Sequence, residues 1–128
     1  MIEKIQLIRN IGLFGSFTGN IQTVFNRLTV IYAENGRGKT TLSAIFRSIA
    51  SGDPMPIIER KRLTAQDAPH VVVECDGATS PAVFQNGAWT RVYPNIRIFD
   101  DCFIDENVHS GLDVNPDHRQ NLHQLIIG

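Results

Sequence analysis

The chain has 128 residues, with 12 Lys and Arg against 13 Asp and Glu and a net charge of −1. That length suits one domain with one modest core, and the balanced charge excludes a protein that binds nucleic acid through a basic surface along the whole chain. No apolar run approaches the roughly 18 residues needed to span a bilayer, and the opening MIEKIQLIRN interrupts its apolar residues with polar ones, so neither a membrane span nor a secretory signal is expected.

Residues 2–8 read as a strand, with Ile2, Ile5, Leu7 and Ile8 as its apolar positions. GLFGSFTGN, 12–20, has three glycines and reads as a turn or loop holding Phe14 and Phe17. Val24 and Phe25 suggest a short strand, and Asn26 and Arg27 a turn. LTVIYA, 28–33, is a continuous apolar run, the pattern of a strand buried on both faces. Leu42, Ile45, Phe46 and Ile49 then fall on one helical stripe, and Ser51, Gly52 and Pro54 supply its stop. Residues 55–69 show no clean period, which suits a loop or a short helix.

The period then changes to strands. HVVVECD, 70–76, is one. PAVFQNGAWTRVY, 81–93, is a hairpin, because Asn86 and Gly87 both tolerate the positive φ of a type I′ turn. IRIFD, 96–100, is another strand. Asn115 and Pro116 suit the start of a last helix whose apolar face is Leu122, Leu125 and Ile126. Cys75 and Cys102 form no CxxC pattern, so two unpaired thiols in a reducing, cytoplasmic setting are expected. His118 and His123 are five apart on that helix, on different faces, and do not make a metal pair.

The chemistry lies in IYAENGRGKTTL, 31–42. A phosphate-binding loop works because successive backbone N–H groups converge on an anion at the positive end of a helix. Glycines let the backbone approach, a lysine meets the β and γ oxygens, and the next hydroxyl holds Mg²⁺. Asn35, Gly36, Arg37, Gly38, Lys39, Thr40 and Thr41 meet these demands, between an expected strand and an expected helix. Ala33 stands where the usual pattern begins with glycine, and fits if its φ stays negative. Glu34 must face solvent, away from a triphosphate; Arg37 is expected to face solvent too, with its N–H in the cradle.

This segment resembles the Walker A loop of ABC-type ATPases of the SMC-like and RecF-like kind, which read NGxGK[ST]. MIEKIQLIRNIGLFGSF is similar to the opening strand and turn of that group. IRIFDDCFIDENVHSG and HRQNLHQLIIG are similar to segments of RloC-like coiled-coil ATPases, which are associated with anticodon nucleases and phage defence. The resemblance implies an α/β P-loop NTPase fold, an ABC-type N-terminal lobe with an antiparallel hairpin. Residues 1–128 would be a single, truncated domain. In that family the LSGGQ-like signature, the Walker B strand with its Asp-Glu pair and the switch histidine lie beyond a long coiled-coil insertion.

ATP and Mg²⁺ are the implied cofactors, with Thr40 as the metal ligand. The implied partner is the protein's own C-terminal half or a second protomer, in a dimer that sandwiches ATP. Nucleic acid would be met only through other parts of the protein. Lys39 is the implied catalytic residue in the loop. Asp100 and Asp101 would approach Mg²⁺ and the attacking water from the Q-loop region, or form a solvated acidic turn. Phe14 and Phe17 would flank the adenine or pack in the core; Arg9 and Asn10 would reach phosphate or shape a turn.

Two other functions fit the same residues. One is a compact P-loop NTPase or kinase that uses IRIFDD as its own Walker B strand. The other is a regulatory module that binds nucleotide or phosphate without turnover.

Overall fold

The computed structural model describes residues 1–34, 36–77 and 80–99. The chain divides into two units, Met1–Ile96 and Arg97–Gly128, and all the elements below belong to the first. Five antiparallel strands lie in the order β2-β1-β3-β4-β5. The strands are β1 (Ile2–Ile11), β2 (Phe14–Thr18), β3 (His70–Cys75), β4 (Ala82–Gln85) and β5 (Ala88–Trp89). The helices are α1 (Lys39–Ser51) and α2 (Met55–Ile58), with a 3-10 turn at Ile21–Thr23.

β1 buries Ile5, Ile8 and Ile11, three residues apart where a regular strand would give two. Its pairing with β3 slips between Ile5 and Leu7, which sends Ile8 inward in place of Leu7. Asn10 then adopts φ 62°, a left-handed conformation that Asn tolerates, and Ile11 returns to the core. β3 keeps a strict alternation, with Val71, Val73 and Cys75 inward, and Ala82 and Phe84 of β4 continue the same face. The β4–β5 hairpin turns at Asn86 (φ 55°) and Gly87 (φ 78°), as its chemistry requires.

Helix α1 lays Ile45 and Ile49, both fully buried, on this face, with Leu42 and Phe46 beside them. Each buried isoleucine contributes about 1.5–3 kcal/mol. Ser48 is the polar exception on the stripe. Its hydroxyl donates to Asp53 O at 2.6 Å and accepts from Trp89 Nε1 at 2.8 Å, so it satisfies the indole of β5 while fixing the helix exit. Gly52 ends α1 at φ 79° and donates its N–H to Ser48 O. Ile57 of the one-turn α2 completes the core. Burial raises the pKa of the Cys75 thiol, partly opposed by the nearby Tyr93 hydroxyl, so it is a neutral core residue. Cys102 lies outside the described residues.

Four expectations need correction. The glycine-rich stretch 12–20 is no mere loop: it holds β2, because Gly12 and Leu13 make a two-residue hairpin turn with Gly12 at φ 53°. Val24 makes a single bridge to Lys4, not a strand. The run 28–33 forms no strand. Leu28, Val30 and Tyr32 are 85%, 85% and 90% exposed, since among the described residues no strand pairs with the segment and a doubly buried strand needs paired neighbours on both sides. Residues 96–99 likewise form no strand, and Asp100 lies outside the described residues. So does the helix expected after Asn115. The observed architecture is α/β with an antiparallel sheet, rather than strands arranged around the loop of 33–38. Among the described residues, no helix is long and apolar enough to cross a membrane.

Candidate functional site

The glycine loop runs directly into α1. Gly36 takes φ 80°, and Gly38, the residue that caps the helix, takes φ 99°. Both conformations favour glycine. A Cβ on Gly38 would also stand 2.8 Å from Cε2 of Phe14, so this position excludes a side chain twice over. The helix opens without a side-chain cap and without a carboxylate in its first turn. Its first internal bond is Leu42 N–H to Gly38 O, at 3.0 Å. Among the described residues the N–H groups of Lys39, Thr40 and Thr41 have no backbone partner one turn back, at the positive end of a 13-residue helix. That arrangement attracts an anion.

A pocket of about 230 Å³ opens here, lined by Leu13, Gly36, Gly38, Lys39, Thr40 and Thr41. Lys39 and Thr40 are exposed to it, whereas Thr41 is mostly buried and turned toward the β1–β2 hairpin. A Cβ on Gly12 would meet the Thr41 hydroxyl at 2.7 Å, so the hairpin turn rests on the first turn of α1 only because residue 12 has no side chain. The structure thus brings together five of the residues expected to hold phosphate: Gly36, Gly38, Lys39, Thr40 and Thr41.

The others divide. Asn35 lies outside the described residues, as do Asp100, Asp101, His118 and His123. Glu34 faces solvent as required, and Arg37 sits 3.7 Å from it with both side chains exposed. The N–H of Arg37 is not turned into the cradle. It donates to Glu34 O at 3.2 Å and closes the loop on itself. Phe14 and Phe17 meet edge to face at 6.3 Å and pack against the core, Phe14 also covering Gly38. Asn10 serves the fold: its carbonyl accepts from Arg62 N–H, and its amide donates to Ala68 O. Arg9 is an exposed strand residue, paired in register with Ser16 and His70.

A second cavity, about 400 Å³, lies between β1, Phe14, Phe17 and the 28–33 segment. Its walls are mainly apolar side chains, among them Ile5, Ile8, Phe25 and Val30. It is larger than the loop pocket but carries no charged group. The residues that sequence reasoning missed are Gly12 and Leu13. Their signal was a Gly-X pair between Ile11 and Phe14, the composition of a type II′ hairpin turn.

A family model described as AAA domain matches residues 10–118, most of the chain and all of the loop and helix. The chain belongs to the AAA domain family. It is therefore a nucleotide-binding, ATPase-like domain of the P-loop class. Neither curated proteins nor solved structures gave a match. In an AAA domain the uncapped helix end and its lysine are the features that suit a nucleoside triphosphate, and here they share one pocket.

Proposed function

We propose that this AAA domain binds Mg·ATP through residues 35–41 and is the Walker A half of an ABC-type ATPase of the SMC-like, RloC-like kind. The observation that carries the reading is the uncapped N-terminus of α1, with Gly36, Gly38, Lys39 and Thr40 around one pocket. The residues fit the ligand. The free backbone N–H groups would donate to phosphate oxygens, Lys39 brings the charge, and the glycines keep the wall free of side chains. Mg²⁺ would take the Thr40 hydroxyl, the position that follows the loop lysine, and the nucleotide's own oxygens. The metal would neutralise charge developing on the phosphates.

The exposed run 28–33 supports the two-part reading. Leu28, Val30 and Tyr32 have the composition of a buried strand, are exposed, and pair with no strand among the described residues. A C-terminal half, or a second protomer, would supply them, together with the signature motif and the Walker B carboxylates. Asp101 is the candidate within this sequence for holding the attacking water. The setting implied by the RloC-like resemblance is cytoplasmic, in phage defence.

Hydrolysis needs a positioned water, a base and charge stabilisation across the γ-phosphate. In the two-part reading the signature motif and the Walker B carboxylates come from the other half, so this chain by itself is expected to release phosphate from ATP no faster than Lys39→Ala. Robust turnover that depends on Lys39 would overturn the half-site reading and favour the compact NTPase with its own Walker B. Tight binding of nucleotide by the complete protein without turnover would favour the regulatory module.

Thr40→Val keeps the shape of the side chain and removes the hydroxyl. Thr40 is exposed, so the fold should be unaffected, while the gain in ATP affinity on adding Mg²⁺ should disappear. Titration with and without Mg²⁺ reads this directly. A Val variant with the wild-type magnesium effect would move the metal role to another residue.

A further inference from the structure

The β1–β2 turn forms one wall of the loop pocket through Leu13, and something must hold it there. The stretch after α2 does so. Gly12 N–H donates to Arg60 O at 2.7 Å, Arg62 N–H donates to Asn10 O at 2.9 Å, and Ile11 bridges Lys61. The side chain of Arg62 adds a bond to the turn itself. Its Nη1 donates to Leu13 O at 3.1 Å, while Nε donates to Thr64 Oγ1 at 3.3 Å. Gly15 makes room for this, since a Cβ there would stand 3.4 Å from Nη1. The guanidinium is thus anchored at one end and grips the carbonyl of a pocket-lining residue at the other.

We infer that Arg62 is a positioning residue for nucleotide binding: it holds the Leu13 wall against the phosphate cradle. The inference rests on the proposed Mg·ATP site and names a residue outside the Walker A segment that tunes it. A charge-assisted bond to a carbonyl is stronger than a neutral one, so its loss loosens a two-residue turn held otherwise by backbone bonds and by Gly12 resting on Thr41. Leu13 is 61% exposed, which leaves the turn little packing to replace the bond.

The test combines exchange in the free protein with a double-mutant cycle. In Arg62→Ala without nucleotide, the amides of Leu13 and Phe14 should exchange faster than in the wild type while those of β3 do not. Mg·ATP affinity by calorimetry should fall about five- to tenfold. Arg62→Lys, which keeps a charged donor, should recover affinity to within about twofold. In a Leu13→Ala background, Arg62→Ala should cost nothing further, because the wall it positions is gone. An equal loss in both backgrounds would overturn the inference and mean that the guanidinium meets the ligand itself; unchanged exchange at Leu13 and Phe14 would overturn it as well. Failure of the underlying site is told apart by Lys39→Ala: if that variant binds Mg·ATP like the wild type, the nucleotide reading falls, whatever Arg62 does.

Discussion

Lys39→Ala is expected to weaken Mg·ATP binding by about 2–3 kcal/mol, the scale of one charge-assisted contact with a phosphate. That is about a 30- to 150-fold rise in Kd. The physical basis is local. Lys39 opens α1, it is exposed to the pocket, and no carboxylate in the first helical turn competes for its ammonium. The loss should be much smaller for adenosine, which has no phosphate to meet the charge. Calorimetry with both ligands separates the two contributions. Stability should barely change, since an exposed lysine at a helix N-terminus opposes the dipole and supports no packing. Equal ATP affinity in the variant would remove the phosphate from this pocket.

Phe84→Ala should be the most damaging single truncation for the fold. Phe84 is fully buried on the central face of the sheet, pairs in register with Val71, and meets Trp89 edge to face at 5.3 Å. Removing a ring from such a site costs about 3–5 kcal/mol in transfer and cavity terms. A domain of this size has only about 5–15 kcal/mol in hand. The urea midpoint should fall steeply, with part of the population unfolded in plain buffer. Gln85→Ala, on the exposed neighbour, should shift stability by less than about 0.5 kcal/mol. Comparable effects from the two would mean that the sheet face is not the core.

The parts of this structure that were legible in the sequence are those governed by local chemistry. Helix α1 follows from its stripe and its glycine stop, and the β4–β5 hairpin follows from Asn86 and Gly87. The pocket residues Gly36, Gly38, Lys39, Thr40 and Thr41 follow from spacing, because a phosphate loop is a local backbone device. What escaped reading depends on partners distant in the chain. Three glycines around two phenylalanines look like a loop until β1 is seen to offer an edge for Phe14–Thr18. The slip at Ile5 and the left-handed Asn10 decide which isoleucines face inward, and simple alternation misses both. The run 28–33 fails in the opposite direction. Its composition states that it wants burial on two faces, but composition cannot say which chain segment provides it. Arg62 was invisible for the same reason: it sits 49 residues from the carbonyl it holds.

The role of the glycine loop is tested most directly by backbone amide shifts during titration of the ¹⁵N-labelled chain with Mg·ATP. Anion capture by an uncapped helix must change the hydrogen bonding of the loop N–H groups themselves. The largest shifts are expected at Gly36, Gly38, Lys39, Thr40 and Thr41, saturating together, with smaller changes at Leu13 and none in β3 or β4. Saturable shifts confined to the apolar cavity of Phe17, Phe25 and Val30, with the amides of 36–41 unmoved, would contradict a phosphate site at the start of α1.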